Sequence, residues 1–347
     1  MADKTRILVW VCCTLLLAGG CRMQKDKQIK LDLKPGLVTF VDSTEASVAI
    51  IKDDSENFFQ NLSETEVMIQ MKRSEPFNSR EEAQKAFAQF TARQVSSWST
   101  EEKLEMSEIM YRVKKMCDSI NPRIFPGGIR LVKIKTFAYG NDAYYTRGND
   151  IMIPENIFPL TEPQKQIPVM LHEIFHIISR QNSRFRDAAY RMIGFERAEK
   201  PVLLPEHIRQ VLLSNPDGLS MDHIIRLRDG KETRLCLPLL TSKYGRYRDG
   251  IPSYFDYLQF DIFEVKDTTN RLVVNCTSNG GTTLPARFTN DYFRQIRDNT
   301  QYIIHPDEIM ADNFMLAVQS FNGGGYDRFS TEGKNLIDEL TRLLQDL

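Results

Sequence analysis

Five consecutive residues, His172-Glu173-Ile174-Phe175-His176, have the types and spacing that metal-dependent hydrolysis requires. On a helix the two histidines are four residues apart on one face, where two imidazole nitrogens can bind one cation. Imidazole pairs suit Zn²⁺, and a catalytic zinc site keeps one position for water and lowers the pKa of that water to about 7. Glu173 would stand beside that water and take its proton. The motif therefore predicts hydrolysis of a peptide bond, with Zn²⁺ as the cofactor.

The residues around this motif predict a buried helix. Pro163 and Pro168 precede the motif, and proline is tolerated in the first turn of a helix. We expect the helix to begin near Pro168, or to start after Thr161 with a kink, and to end near Asn182. A buried helix with two histidines and a glutamate is costly unless a metal satisfies them. The apolar neighbours are Val169, Met170, Leu171, Ile174, Phe175, Ile177 and Ile178.

A catalytic zinc site needs a third protein ligand, which the motif does not contain. The metzincin extension would place glycine at position 179 and histidine at position 182. The chain has Ser179 and Asn182 there, so that class is excluded. A segment that starts at Pro306 offers Glu308 and Asp312, four residues apart on one face of a helix. One carboxylate could bind the metal while the other holds a ligand histidine.

An HExxH motif followed by a helix with Glu-x-x-x-Asp resembles the gluzincin metallopeptidases, the thermolysin-like class. The resemblance implies that His172, His176 and Glu308 bind zinc. It also implies that Asp312 orients His172, and such carboxylates fix the tautomer of a ligand histidine. A group of bacterial proteins assigned as metallopeptidases, which are often lipoproteins, is further similar over roughly residues 130–200 and 290–320. The segments that carry this resemblance are Tyr145-Thr146-Arg147-Gly148-Asn149, the motif helix with Ser179-Arg180 after it, and Asn299-Thr300 to Phe314.

Other residues are candidates for the third metal ligand and for the donor to the oxyanion. Glu196 fits the shorter ligand spacing of compact gluzincins better than Glu308 does, but Lys200 stands four residues later where the class has an aspartate. His305 is a third candidate ligand. Hydrolysis also needs a donor for the developing oxyanion. The tyrosines that could supply it, among which the sequence does not choose, are Tyr244, Tyr247, Tyr254, Tyr257 and Tyr302.

The first residues have the pattern of a bacterial lipoprotein signal. Lys4 and Arg6 precede an apolar run over 7–20, which is short for a membrane span and typical of a signal peptide. The run ends in Leu17-Ala18-Gly19-Gly20-Cys21, which resembles a lipobox and implies lipidation of Cys21. We expect a signal peptide over 1–20 and a tether and N-terminal segment over 21–75. The lipid would anchor the protein to a bacterial envelope membrane, facing the periplasm or the exterior; an ordinary secretory signal is the alternative.

Composition excludes several kinds of partner. The net charge is -1, and the chain has neither a basic patch nor a glycine-rich phosphate loop, so neither nucleic acid nor a nucleotide is predicted to bind. Beyond Cys21 the cysteines are Cys117, Cys236 and Cys276, too few for a disulfide scaffold. Cys236 and Cys276 could form one disulfide, and three free thiols are the alternative.

The remaining patterns predict an α+β fold. Helices are expected over 79–119 with a break near 96–100, over 184–194 and 289–297, and after Ser330. Strands are expected over 129–135 and over 144–154, the second with a bend at Arg147-Gly148-Asn149-Asp150. The second of these would bind a peptide as an added strand if it lies at a sheet edge, and an ordinary core strand is the alternative. A hairpin across Asp229-Gly230 and a strand pair over 257–265 and 271–276 predict a β insertion at about 221–287.

These patterns together predict a zincin-like metallopeptidase domain over 76–347, with the β-rich insertion between the HExxH helix and the third-ligand helix. Its substrate would be a peptide or a protein. Two other functions fit the sequence. One is a lipid-anchored surface protein that uses zinc structurally and binds a partner through the β insertion, which would not need Glu173 as a base. The other is a hydrolase that acts on a non-peptide amide.

Overall fold

A computed structural model describes residues 37–53, 57–140, 143–217 and 220–347. The predicted signal peptide, Cys21 and the first residues of the predicted tether lie outside these ranges. The fold is α+β, with a four-stranded sheet, a six-stranded sheet and helices packed against them. None of the helices in the described ranges has both the length and the hydropathy to span a membrane.

The described residues from 37 to 118 are mainly helical, and polar side chains cap four of the five helices in this part. The hydroxyl of Ser79 accepts the backbone N–H of Glu82, and Ser99 and Glu102 form a reciprocal capping box. The predicted helices and the break between them are therefore confirmed. The elements are β1 (Val38–Phe40), α1 (Ser43–Ala49), α2 (Phe58–Asn61), α3 (Glu64–Gln70), α4 (Arg80–Thr91) and α5 (Thr100–Asp118).

The four-stranded sheet brings the segment before the motif next to the motif helix. Its strand order is β1-β2-β4-β3, with β3 antiparallel to β4 and the other pairs parallel. The bend predicted at 147–150 is confirmed and makes 144–154 a hairpin, whose first strand lies at the sheet edge and whose second lies inside. The three further strands are β2 (Ile129–Ile134), β3 (Tyr145–Arg147) and β4 (Asp150–Pro154).

The motif lies on α6 (Gln166–Gln181), which is followed by α7 (Ser183–Met192). A short 3₁₀ turn that begins at Pro163 leads into α6, and Pro168 occupies its first turn. The helix can begin two residues before Pro168, because a backbone N–H in the first turn has no intrahelical acceptor and the missing N–H of proline costs no hydrogen bond there. Its residues are buried on most sides, as the apolar run predicted.

A second sheet follows, with the order β5-β7-β8-β9-β10-β6. Both predicted strand pairs are confirmed, since Asp229 pairs with Glu232 next to the first turn and Asp267 pairs with Leu272 next to the second. Cys117, Cys236 and Cys276 are free, so the second of the two cysteine alternatives holds. The elements are β5 (Phe195–Arg197), β6 (Val202–Leu203), α8 (Glu206–Val211), β7 (His223–Asp229), β8 (Glu232–Ser242), β9 (Leu258–Asp267) and β10 (Leu272–Asn275).

Three helices complete the fold: α9 (Thr289–Ile296), α10 (Pro306–Phe321) and α11 (Thr331–Gln345). Helix α10 packs along α6, and α11 packs on α10. Phe175 of α6 and Phe314 of α10 are fully buried, with ring centroids 5.7 Å apart. Burying such a side chain contributes roughly 1.5–3 kcal/mol, so contacts of this kind hold the two helices in one relative position. That position brings the HExxH motif of α6 close to Glu308 and Asp312 of α10.

Candidate metal centre

Helices α6 and α10 bring His172, His176 and Glu308 into one cluster. Nε2 of His172 lies 3.2 Å from Oε2 of Glu308, and Nε2 of His176 lies 3.8 Å from Oε1. One ligand atom from each residue falls within 4.8 Å of the others. His176 and Glu308 are buried, and His172 is mostly buried. These three residues can therefore hold a metal ion.

A carboxylate lies behind each histidine and fixes its orientation. Oδ1 of Asp312 lies 2.8 Å from Nδ1 of His172, and Oδ2 of Asp307 lies 2.6 Å from Nδ1 of His176. A carboxylate can only accept, so both Nδ1 atoms donate and both Nε2 atoms face the cluster. Asp312 was predicted for this position, whereas sequence reasoning did not identify Asp307.

Glu173 lies beside the three residues and is almost fully buried. Its Oε2 accepts a hydrogen bond of 2.7 Å from the hydroxyl of Thr146, on the edge strand β3. Its carboxylate also belongs to a second close group with His176 and Asp217. Glu173 thus faces the same space as the histidines and is held by a neighbour that belongs to neither helix.

Two more residues enter the site from the segment between α8 and β7. Nδ2 of Asn215 donates to Oε1 of Glu308 at 2.7 Å. Oδ1 of Asp217 accepts the backbone N–H of Thr146 at 2.7 Å and lies 3.6 Å from Nε2 of His176. Sequence reasoning missed both residues, because they lie in a loop far along the chain from the motif.

The charges in this cluster favour a cation. Burial disfavours the protonated form of each histidine, but acidic neighbours outweigh burial. Bonds to Asp312 and Glu308 raise the pKa of His172 well above its usual range, and Asp217, Glu308 and Asp307 raise the pKa of His176 to about 9. Burial raises the pKa of Asp217 to about 7. The site therefore draws in positive charge, which a divalent ion could supply in place of protons.

The hydrogen bonding of one ring nitrogen, Nε2 of His176, shows whether a metal fits this cluster. Nε2 of His176 is buried and has no hydrogen-bond partner in the described part of the chain. An unpaired buried nitrogen costs free energy, and a bound ion would remove that cost. Two imidazole nitrogens and a carboxylate oxygen are a donor set that suits Zn²⁺. The residues present thus fit a zinc ion.

The other candidate ligands lie outside the cluster or are already bonded. Glu196 forms a surface ion pair of 2.7 Å with Arg226. His305 uses both ring nitrogens, because Nδ1 accepts the N–H of Asp307 at 3.1 Å and Nε2 lies 3.0 Å from the carbonyl oxygen of Ser220. Neither residue joins a close group of metal-binding side chains in the described ranges.

A cleft of about 610 Å³ opens onto the cluster. Of the five tyrosines considered for the oxyanion, Tyr302 is the one that lines this cleft, and its ring centroid lies 5.9 Å from that of His172. Tyr254 and Tyr257 are buried in a separate core cluster. The cleft has apolar walls, which include Tyr144, Val169, Phe255, Ile304 and Met315.

Comparisons with protein-family models, with curated proteins and with solved structures give no match to this chain.

Proposed function

We propose that this protein is a zinc-dependent metallopeptidase of the gluzincin, or thermolysin-like, class, with a zincin-like catalytic domain. The proposal rests on the close approach of the ligand atoms of His172, His176 and Glu308, with Glu173 beside them. The unpartnered Nε2 of His176 supports an ion at that point. Peptide hydrolysis is the reaction for which this set of groups is suited.

His172 and His176 would hold the ion through Nε2, and Glu308 through its carboxylate. When bound, Zn²⁺ supplies Lewis-acid chemistry, since it polarises a carbonyl group and lowers the pKa of water to about 7. Asp312 and Asp307 keep the Nδ1 atoms protonated and the rings in place. The side-chain amide of Asn215 orients the carboxylate of Glu308.

Glu173 would be the general base. Its carboxylate takes a proton from the attacking water and passes it to the nitrogen of the departing amine. Thr146 holds Oε2, which leaves the other carboxylate oxygen to carry the proton. Because Glu173 is buried, little bulk water competes for that oxygen. The hydroxyl of Tyr302 is the donor that we assign to the developing oxyanion.

A peptide or protein would occupy the cleft beside these groups. The apolar walls of the cleft suit side chains next to the bond that is cut. We further propose that Cys21 carries a lipid that anchors the enzyme to a bacterial envelope membrane. Intact-mass analysis of membrane-extracted protein should then give an acylated N-terminus at Cys21, and an N-terminus at any other residue would contradict the anchor alone.

The test compares the wild type with Glu173→Gln, which keeps the shape of the side chain and removes the base. A matched control is Glu162→Gln, an exposed glutamate that pairs with Lys165 before α6. Zinc is measured by mass spectrometry and cleavage with a mixed peptide library. We expect equal zinc in all three proteins and a loss of cleavage of at least about 100-fold in Glu173→Gln. Equal cleavage would contradict the proposal, and zinc without cleavage by any of them would favour a binding protein.

A further inference from the structure

A chain of hydrogen bonds runs from helix α3 to Glu308, the third ligand of the proposed metal site. It begins at Glu66, which is fully buried and whose Oε2 accepts the backbone N–H of Ser214 at 2.9 Å. The hydroxyl of Tyr254 lies 2.9 Å from the carbonyl oxygen of Ser214 and 3.1 Å from Oε1 of Glu66. Both backbone polar groups of Ser214 are therefore held by buried side chains from distant parts of the chain.

The two residues before Ser214 are also held in place. The hydroxyl of Ser63, the N-cap of α3, donates to the carbonyl oxygen of Leu212 at 2.7 Å. The backbone N–H of Leu213 donates to the carbonyl oxygen of Leu240, on β8, at 3.0 Å. Since three consecutive residues are bonded to α3, to β8 or to Tyr254, the backbone has a defined position where it reaches Asn215.

The side chain of Asn215 carries that position to the metal centre. Its Oδ1 accepts the backbone N–H of Asp217 at 3.0 Å, and its Nδ2 donates to Oε1 of Glu308 at 2.7 Å. Oε1 of Glu308 lies 3.8 Å from Nε2 of His176, and Oε2 lies 3.2 Å from Nε2 of His172. The bond from Asn215 thus determines which oxygen of the Glu308 carboxylate faces each histidine.

We propose that Glu66 is a positioning residue of the metal centre, which acts through Ser214 and Asn215 on the carboxylate of Glu308. This inference rests on the proposed metal site. Ser214 is partly buried, and a backbone N–H without an acceptor there is unfavourable. Without Glu66 the segment would therefore move and take the Asn215 amide with it. Glu66 lies in the N-terminal segment predicted over 21–75, so α3 would belong to the functional unit together with the domain predicted over 76–347.

The main test is Glu66→Leu, which removes the acceptor for Ser214. The matched control is Glu64→Leu on the same helix, because the Glu64 carboxylate also accepts a backbone N–H, that of Phe77, which has no part in the chain of bonds to Glu308. Zinc affinity is measured by chelator competition. We expect Glu66→Leu to bind zinc about tenfold more weakly and Glu64→Leu to bind it as the wild type does.

A conservative variant, Glu66→Gln, tests whether the bond to Ser214 is what matters. Its side-chain oxygen can still accept the Ser214 N–H. Its amide group can donate to Oε1 of Gln70 once the Gln70 amide has turned, since that oxygen has no partner in the described part of the chain. We expect the zinc affinity of Glu66→Gln to stay within about twofold of the wild type.

A double-mutant cycle with Asn215→Ala separates positioning from a general effect on the fold. Asn215→Ala should lower zinc affinity by about 10- to 100-fold, as the loss of a bond to a metal ligand does. Because Glu66 acts through Asn215, adding Glu66→Leu to Asn215→Ala should cause no further loss beyond about twofold. A residue with a separate structural role would instead give losses that multiply.

Three results would overturn the inference but not the proposed function. They are wild-type zinc affinity in Glu66→Leu, a loss in Glu66→Gln equal to that in Glu66→Leu, and losses that multiply in the double variant. A wild type that binds no zinc would overturn both. If Glu66→Leu does not fold, Tyr254→Phe replaces it, since it removes one hydroxyl from the chain and keeps the ring. We expect about threefold weaker zinc binding in Tyr254→Phe, and wild-type affinity there would overturn the inference.

Discussion

Oδ2 of Asp307 lies 2.6 Å from Nδ1 of His176, and both side chains are fully buried. The hydroxyl of Tyr190 donates to the other oxygen of Asp307. Asp312 stands in the same relation to His172, and the hydroxyl of Thr300 donates to it. Each histidine of the motif thus has its own carboxylate, and each carboxylate has its own hydroxyl donor.

The first prediction concerns these two carboxylates. Asp307→Asn should lower zinc affinity by about 10- to 100-fold, and so should Asp312→Asn, because each loses the charge that keeps a ligand histidine basic and oriented. Chelator competition measures the affinities. Asp338→Asn is the control, since Asp338 is exposed on α11 and bonds to Tyr326. Wild-type affinity in Asp307→Asn would show that this bond has only a packing role.

The second prediction concerns Tyr302. Tyr302→Phe keeps the ring in the cleft and removes the hydroxyl that we assign to the oxyanion. The loss of one such donor typically lowers kcat by 10²–10³-fold, so we expect a fall of at least about 100-fold with zinc affinity unchanged. Steady-state kinetics on a library-derived peptide measure it, with Tyr326→Phe as the control outside the cleft. A change in KM alone would mean that Tyr302 only binds substrate.

The third prediction starts from Glu66 of α3, which is fully buried behind the segment that carries Asn215. One carboxylate oxygen accepts the N–H of Ser214 at 2.9 Å. The other accepts bonds from Gln70 at 2.9 Å and from the hydroxyl of Tyr254 at 3.1 Å. Burial outweighs these bonds and raises the pKa of Glu66 from 4.5 to about 7.

This raised pKa makes stability depend on pH. Below pH 4.5 Glu66 is protonated in the folded and unfolded states and costs nothing, whereas above pH 7 its buried charge costs about 3 kcal/mol. Glu66→Gln cannot ionise. Its free energy of unfolding relative to the wild type should therefore improve by about 3 kcal/mol between pH 4 and pH 8, as measured by urea unfolding. A difference that stays constant across this range would contradict the assignment.

Local sequence patterns predicted most of the helices and strands in the described ranges, because the residues that determine these elements are close together in the chain. The apolar run of α6, the proline at the start of α10 and the turn at Asp229-Gly230 each depend on a few neighbouring residues. Strands of two or three residues, such as β1 and β6, carry too few side chains for a detectable period. Their formation depends on partners far along the chain.

The same distinction applies to the metal centre. The spacing within α6 and within α10 is local, so His172, His176, Glu308 and Asp312 could be named from the sequence. Asp307 has no such signal, because an acid in the first turn of a helix is already favoured by the helix dipole. Asp217 reaches the site from a loop, and only the three-dimensional fold brings it to His176.

Zinc content and zinc affinity show whether His172, His176 and Glu308 hold the ion. The wild type, Glu308→Ala and Glu196→Ala are compared by mass spectrometry and chelator competition. We predict that Glu308→Ala loses most of its zinc, because one of the three ligands is gone, and that Glu196→Ala binds zinc as the wild type does. Full zinc affinity in Glu308→Ala together with loss of zinc in Glu196→Ala would show that Glu196, and not Glu308, is the third ligand.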